Sequence, residues 1–157
     1  MNPLGELLTP NDVSLDLDVA NKYQLLDRVA ALLAARHGLS KTLVTESLTL
    51  RKQLGSTGVG HGTAIPHARM SQCTAPAAVF VRTKFAISFD APDEKPVSVF
   101  LGLIVPNTAT ERHLQLLATA AGMLEDRTFR DKLKTFPDPT IVMKLLAAWP
   151  AAPAATE

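Results

Sequence analysis

Two segments almost free of polar residues, Ala77–Arg82 and Val97–Val105, constrain this chain more than anything else in it. The first reads Ala-Ala-Val-Phe-Val-Arg, and the second is interrupted only by Ser98 and Gly102. Neither approaches the ~20 residues that a helix needs to cross a bilayer. Short runs that are apolar on both faces are central strands, and such strands need helical cover on both sides. Helices are available. Asn21 with Gln24 three residues on, then Leu25, Leu26, Val29, Leu32 and Leu33, forms a capped amphipathic pattern that Gly38 closes. Ser40 opens a second pattern carrying Leu43, Val44, Ser47, Leu50 and Leu54, which ends at Gly55. Thr108 with Glu111 opens a third, bearing Leu114, Leu117, Ala121 and Leu124. A short helix after Thr128 turns Phe129 and Leu133 inward, and Asp138-Pro139 starts a last helix with the stripe Ile141, Val142, Leu145, Leu146. Val13–Val19 alternates strictly, with Asp16 and Asp18 on its solvated face, and Phe85, Ile87 and Phe89 alternate as a one-sided strand. The expected fold is α/β, a mixed β-sheet sandwiched between helices.

Between the second helix and the central strands lies Gly55–Gly62, Gly-Ser-Thr-Gly-Val-Gly-His-Gly. Four glycines in so short a stretch exclude a helix. The segment reads as a loop, with Thr63–Ile65 a possible short strand and Pro66 holding Ile65 extended. It lacks the Gly-Lys-Ser/Thr ending of a nucleotide P-loop, and its glycine spacing leads into a proline rather than a helix, unlike a dinucleotide fingerprint. No Gly-x-Ser-x-Gly nucleophile elbow is present. Of the four histidines, His37 sits at a helix end, where its charge complements the dipole. His61, His67 and His113 match no closed zinc-ligand spacing. What the stretch does offer is anion chemistry. Successive glycine amides can converge on an anion, Ser56, Thr57 and Gly58 add donors, and Arg51 supplies a planar fork. A neutral imidazole, His67, stands at the far end as a nucleophile.

Arg51 followed by Gly55–His67, Gly-Ser-Thr-Gly-Val-Gly-His-Gly-Thr-Ala-Ile-Pro-His, resembles the signature of the EIIA domains of the phosphoenolpyruvate-dependent phosphotransferase system, mannitol/fructose type. Phe89-Asp90-Ala91, Leu103-Ile104-Val105-Pro106 and His113-Leu114 are similar to their family counterparts, so the resemblance spans nearly the whole chain. Ala68 stands where relatives often have glycine, and Arg69 where lysine is common. The N-terminal segment, with Leu15-Asp16-Leu17 before a leucine-rich helix, most resembles the nitrogen-regulatory branch, EIIA-Ntr. The resemblance implies that His67 is the phosphorylated histidine, that His113 supports the phosphoryl group, and that Arg51 is the arginine preceding the loop. Ser56, Thr57 and Gly58 would help bind the phosphoryl oxygens. It further implies a mixed sheet between helical layers, an HPr-like phosphocarrier as donor, and regulated targets such as kinases or potassium-transport components.

The expected organisation is one EIIA type-2 domain over residues 1–149 and a flexible tail over 150–157, with no room for fused EIIB or membrane EIIC modules. The formal charge of +1 gives no basic excess for nucleic acid or anionic membrane. With one cysteine, Cys73, and no signal segment, a cytoplasmic location is expected. No metal and no cofactor is expected beyond a phosphoryl group on histidine. The readings to be separated are a phosphohistidine carrier, a regulator for which phosphorylation is the switch, an EIIA component of a fructose/mannitol-type sugar relay, and a zinc hydrolase.

Overall fold

The computed structural model describes residues 2–108 and 111–149. A 3₁₀ turn, Pro10–Asp12, leads into β1 (Val13–Leu17), and two helices follow, α1 (Lys22–His37) and α2 (Lys41–Leu54). Then come β2 (Gly58–Gly60), β3 (Thr63–Ala64), β4 (His67–Met70), β5 (Ala77–Ile87) and β6 (Val97–Pro106). Three helices, α3 (Glu111–Glu125), α4 (Arg127–Thr135) and α5 (Pro139–Ala148), complete the domain. The mixed sheet between helical layers is as the sequence implies.

The sheet runs β1-β5-β6-β3-β2, with β4 also paired to β6. β5 and β6 are antiparallel, while β1 lies parallel to β5, and both β3 and β4 lie parallel to β6. On β6 the side chains divide by the two-residue period of a strand. Val99, Leu101, Leu103 and Val105 join the core under α3–α5, while Phe100 and Ile104 join the core under α1 and α2. Gly102 sits where α1 crosses closest: a Cβ there would lie 2.7 Å from Cγ1 of Val29. The N-terminus is tied to α5, since Nδ2 of Asn2 donates to the Leu146 and Trp149 carbonyls at 2.7 and 2.9 Å.

The helix ends follow the local capping chemistry. Asn21 and Ser40 accept from the backbone amides of Gln24 and Leu43, Asp138 accepts from Thr140, and Gly38 takes the left-handed conformation with φ +67°. Several expectations change. Phe85 and Ile87 do not begin a strand of their own; they prolong β5, whose register shifts between Arg82 and Ile87. The glycine segment is not loop throughout, because Gly58–Gly60 pairs antiparallel with Thr63–Ala64 in a hairpin turned by His61 and Gly62, both at positive φ. Two helical faces are rotated from those read in the sequence. On α2 the buried residues are Val44 and Leu48, and on α3 they include His113, Leu116, Ala120 and Met123, beside Leu124. Leu50, Leu54 and Leu114 are left exposed by 62, 86 and 62%. The α5 stripe narrows to Val142 and Leu146. The Thr108–Glu111 capping pattern cannot be followed, since residues 109–110 lie outside the described residues, as does the expected 150–157 tail.

Candidate functional site

β3 and β4 occupy the same side of β6. Thr63 pairs with Val99, and His67 pairs with Leu103. Ile65-Pro66 bridges the two strands, with the Pro66 carbonyl accepting from the Leu103 amide at 2.9 Å. His67 is therefore the first residue of a strand zipped to the centre of the sheet. It opens into a groove of about 440 Å³ between α2, β4 and α3. Ser47, Leu50, Arg51 and Leu54 line it from α2; Ala68 and Arg69 line it from β4. Val105 and, on α3, His113, Leu114 and Leu117 complete the wall.

The half-buried His67 ring places Nδ1 2.6 Å from the Ile65 carbonyl. A carbonyl can only accept, so Nδ1 carries the proton and Nε2 keeps its lone pair. Burial lowers the imidazole pKa below its ordinary 6.5, and the Arg51 charge lowers it further against the opposing pull of the carbonyl. The ring is thus neutral at pH 7 and nucleophilic at Nε2. Arg51 donates one guanidinium N–H to the Gly55 carbonyl at 3.1 Å, which holds the fork at the groove edge.

His113 is the anomaly of the site. It is 1% exposed, and neither ring nitrogen has a hydrogen-bond partner among the described residues. Buried polar groups without partners are rare and costly. Burial, followed by the nearby Arg69 charge, lowers its pKa as well. A neutral ring kept unpartnered in the wall of a groove suits an incoming polar ligand.

The structure brings His67, His113 and Arg51 together, and adds Ser47 and Arg69, which the sequence motif did not single out as site residues. Ser56, Thr57 and Gly58 are not brought into the lining. The Ser56 hydroxyl donates to the Asp90 carbonyl at 2.8 Å and accepts from the Gly58 amide at 3.0 Å. A Cβ on Gly58 would lie 2.9 Å from Cα of Ala91. Thr57 is buried, its hydroxyl without a partner among the described residues and its carbonyl bonded to the Ile65 amide. Asp90 anchors this side of the loop: Lys22 and Lys52 both bind its carboxylate and hold its pKa down to about 2. The hairpin tip is fastened separately, with the His61 amide donating to Asp93 at 2.9 Å and Lys134 donating to the His61 carbonyl at 2.8 Å. Gly58 serves close packing on the Ala91 backbone, while Gly60 and Gly62 supply the positive φ that the hairpin needs.

His37 is exposed at the last turn of α1. Cys73 is buried, donates to the Ala75 carbonyl, and has its thiol pKa raised by burial, the opposite of a reactive thiolate. No group of three His, Cys, Asp or Glu side chains among the described residues is arranged to hold a metal ion. No helix among the described residues is long and apolar enough to cross a membrane.

Residues 6–149 match the family described as "Phosphoenolpyruvate-dependent sugar phosphotransferase system, EIIA 2". The chain belongs to this EIIA family. The nitrogen regulatory protein of Pseudomonas aeruginosa is 37% identical over 135 residues, covering 85% of this chain and 88% of that protein. The crystal structure of the nitrogen regulatory protein IIA-Ntr from Neisseria meningitidis superposes with a TM-score of 0.88 at 38% identity, over 91% of this chain and 98% of that one. The Escherichia coli IIA mannitol structure, at 19% identity, shares the fold, with a TM-score of 0.74 over 89% and 99% of the two chains. An EIIA domain is a phosphotransfer component, and the relatives at 36–38% identity are nitrogen regulatory proteins.

Proposed function

We propose that this EIIA domain is a cytoplasmic phosphohistidine carrier and regulator of the nitrogen-type phosphotransferase system. It accepts a phosphoryl group on His67 from an HPr-like phosphocarrier and controls partner proteins, such as kinases or potassium-transport components, through its phosphorylation state. The observation that carries this reading is the His67 ring itself, with Nδ1 committed to the Ile65 carbonyl and Nε2 left as the free nucleophile in a groove. In the transfer, the Nε2 lone pair attacks phosphorus in line. The N–P bond to the carrier's histidine breaks, and its electron pair returns to that ring nitrogen. The site is asked for positioning and for donors on the equatorial oxygens, with no metal or organic cofactor. His113 donates one ring N–H to a phosphoryl oxygen, which ends its unpartnered state. Arg51 and Arg69 supply positive charge beside the developing dianion. The exposed Leu50, Leu54 and Leu114 form an apolar rim on which a carrier protein docks.

Incubation with a phosphorylated HPr-like carrier adds one acid-labile phosphate that mass spectrometry maps to His67. Acceptance of phosphate by His67→Ala overturns the assignment. A role in sugar transport instead predicts rapid onward transfer to an isolated EIIB, and a regulatory role predicts that His67→Asp changes which proteins are captured.

A further inference from the structure

The hydroxyl that meets the phosphoryl group belongs to neither Ser56 nor Thr57; we infer that it is Ser47. The inference rests on the reading of His67 as the phosphoryl acceptor and adds a ligand to that same site. Ser47, Leu50, Arg51 and Leu54 fall at the spacing that puts them on one face of α2, and all four line the groove with His67 and His113. Among the described lining residues, Ser47 supplies the sole hydroxyl. It is half-buried, and its Oγ makes no hydrogen bond among the described residues. Helical hydroxyls commonly satisfy themselves on the carbonyl four residues back, as Thr135 does on Asp131 at 2.8 Å. Ser47 does not, so its proton is available to the groove.

Two further observations say that a polar ligand is what this wall receives. His113, facing the same groove, holds two unpartnered ring nitrogens although it is almost fully buried. Arg51, one turn beyond Ser47, has one arm already spent on the Gly55 carbonyl. A phosphoryl group on Nε2 of His67 carries three oxygens that need donors. His113 and the remaining Arg51 N–H groups reach it from two sides, and Ser47 adds a neutral O–H from α2. The glycine segment does not take this role: the Ser56 hydroxyl is donated to the Asp90 carbonyl and accepts from the Gly58 amide, and the Thr57 hydroxyl, without a partner among the described residues, is buried outside the groove lining.

The test compares wild type, Ser47→Ala and Ser47→Thr in the full chain. Each is equilibrated with a phosphorylated HPr-like carrier, the phosphate shared between the two proteins is measured, and the ³¹P resonance of the phosphohistidine is recorded. Loss of a hydrogen bond to a charged group shifts the sharing equilibrium of Ser47→Ala about tenfold toward the carrier and moves the ³¹P resonance. Ser47→Thr, which keeps the hydroxyl, restores both. Alanine is the better helix former, so the melting temperature of Ser47→Ala stays the same or rises, and a folding defect cannot mimic the result. A Ser47→Ala protein with the wild-type equilibrium and the wild-type resonance overturns the role of Ser47 while leaving His67 in place. Failure of the wild type to take phosphate on His67 overturns both.

Discussion

The glycine segment after α2 and the groove between α2 and α3 each bring a histidine together with a small polar residue, the first within eight residues of sequence and the second only in space, yet the fold spends them in opposite ways. Along Gly55–Gly62 the Ser56 hydroxyl and the Gly58 and His61 amides are consumed internally and the hairpin pairs its own strands, although the buried Thr57 hydroxyl has no partner among the described residues. Across the groove, the His113 and Ser47 side chains have no hydrogen-bond partner among the described residues, and three leucines are left in water. Satisfied groups hold a structure together, whereas unsatisfied ones cost stability and persist where a ligand repays them. On the proposed reading the glycine segment is the mount, and the α2–α3 groove is the site.

The strongest way to break that contrast is His113→Leu. Removing a buried ring with two unpartnered nitrogens is expected to raise stability by about 1 kcal/mol. That would raise the melting temperature by about 2–4 °C. The same change is expected to slow phosphoryl acceptance about a hundredfold, as loss of one aligned donor does elsewhere. Calorimetry and a transfer assay on the same preparation check both signs, and a variant that is both less stable and fully active would reverse the assignment.

Gly58→Ala probes the other side. Its Cβ meets the backbone of Ala91, which cannot swing away, so a loss of about 1–3 kcal/mol is expected by denaturant titration. Transfer per folded molecule should stay within about twofold of wild type. A selective loss of transfer at unchanged stability would make the glycine amides a phosphoryl cradle after all.

Leu54→Ser sharpens the comparison at the rim. The side chain is 86% exposed, so stability should move by less than about 0.5 kcal/mol. The KM for the phosphorylated carrier should rise severalfold while kcat holds, because the leucine touches the partner and not the chemistry.

The smallest effect is one of pH. Both His67 and His113 have folded-state pKa values below the ordinary 6.5, so below that pH the unfolded chain binds more protons than the folded one. Their contribution to stability is complete above about pH 6.5 and is lost as the pH falls through the lowered values. Denaturation curves from pH 7.5 to 5 should show this decline, and His113→Leu should flatten it.

What the sequence made readable was local. The caps at Asn21, Ser40 and Asp138 and the left-handed Gly38 depend on residues a few positions apart. The apolar character of β5 and β6 needs no partner to be recognised, and the Ala-Ile-Pro-His motif singles out His67, which the structure seats in the groove. What escaped was distant. β4 is four residues long, and only its pairing with Leu103–Pro106 makes it a strand. The roles of Ser56 and Gly58 depend on Asp90 and Ala91, which no pattern within the glycine segment announces. Periodicity counts leucines without saying which way they face. Leu50, Leu54 and Leu114 share the helical spacing of the apolar pattern, yet Val44, Leu48 and Leu116 are the ones that fill the core. His113 gave no local signal of its burial, and its two idle nitrogens are visible only in three dimensions.

The register of β4 carries one more implication. His67 through Met70 are matched residue for residue against Leu103 through Pro106, so the backbone under the imidazole is fastened to the middle strand of the sheet. Such an anchor leaves little freedom for the main chain to shift. If His67 carries phosphorus as proposed, a partner has to sense the added negative charge and bulk on a fixed platform, so the two forms should overlay closely in shape while differing sharply in electrostatic potential.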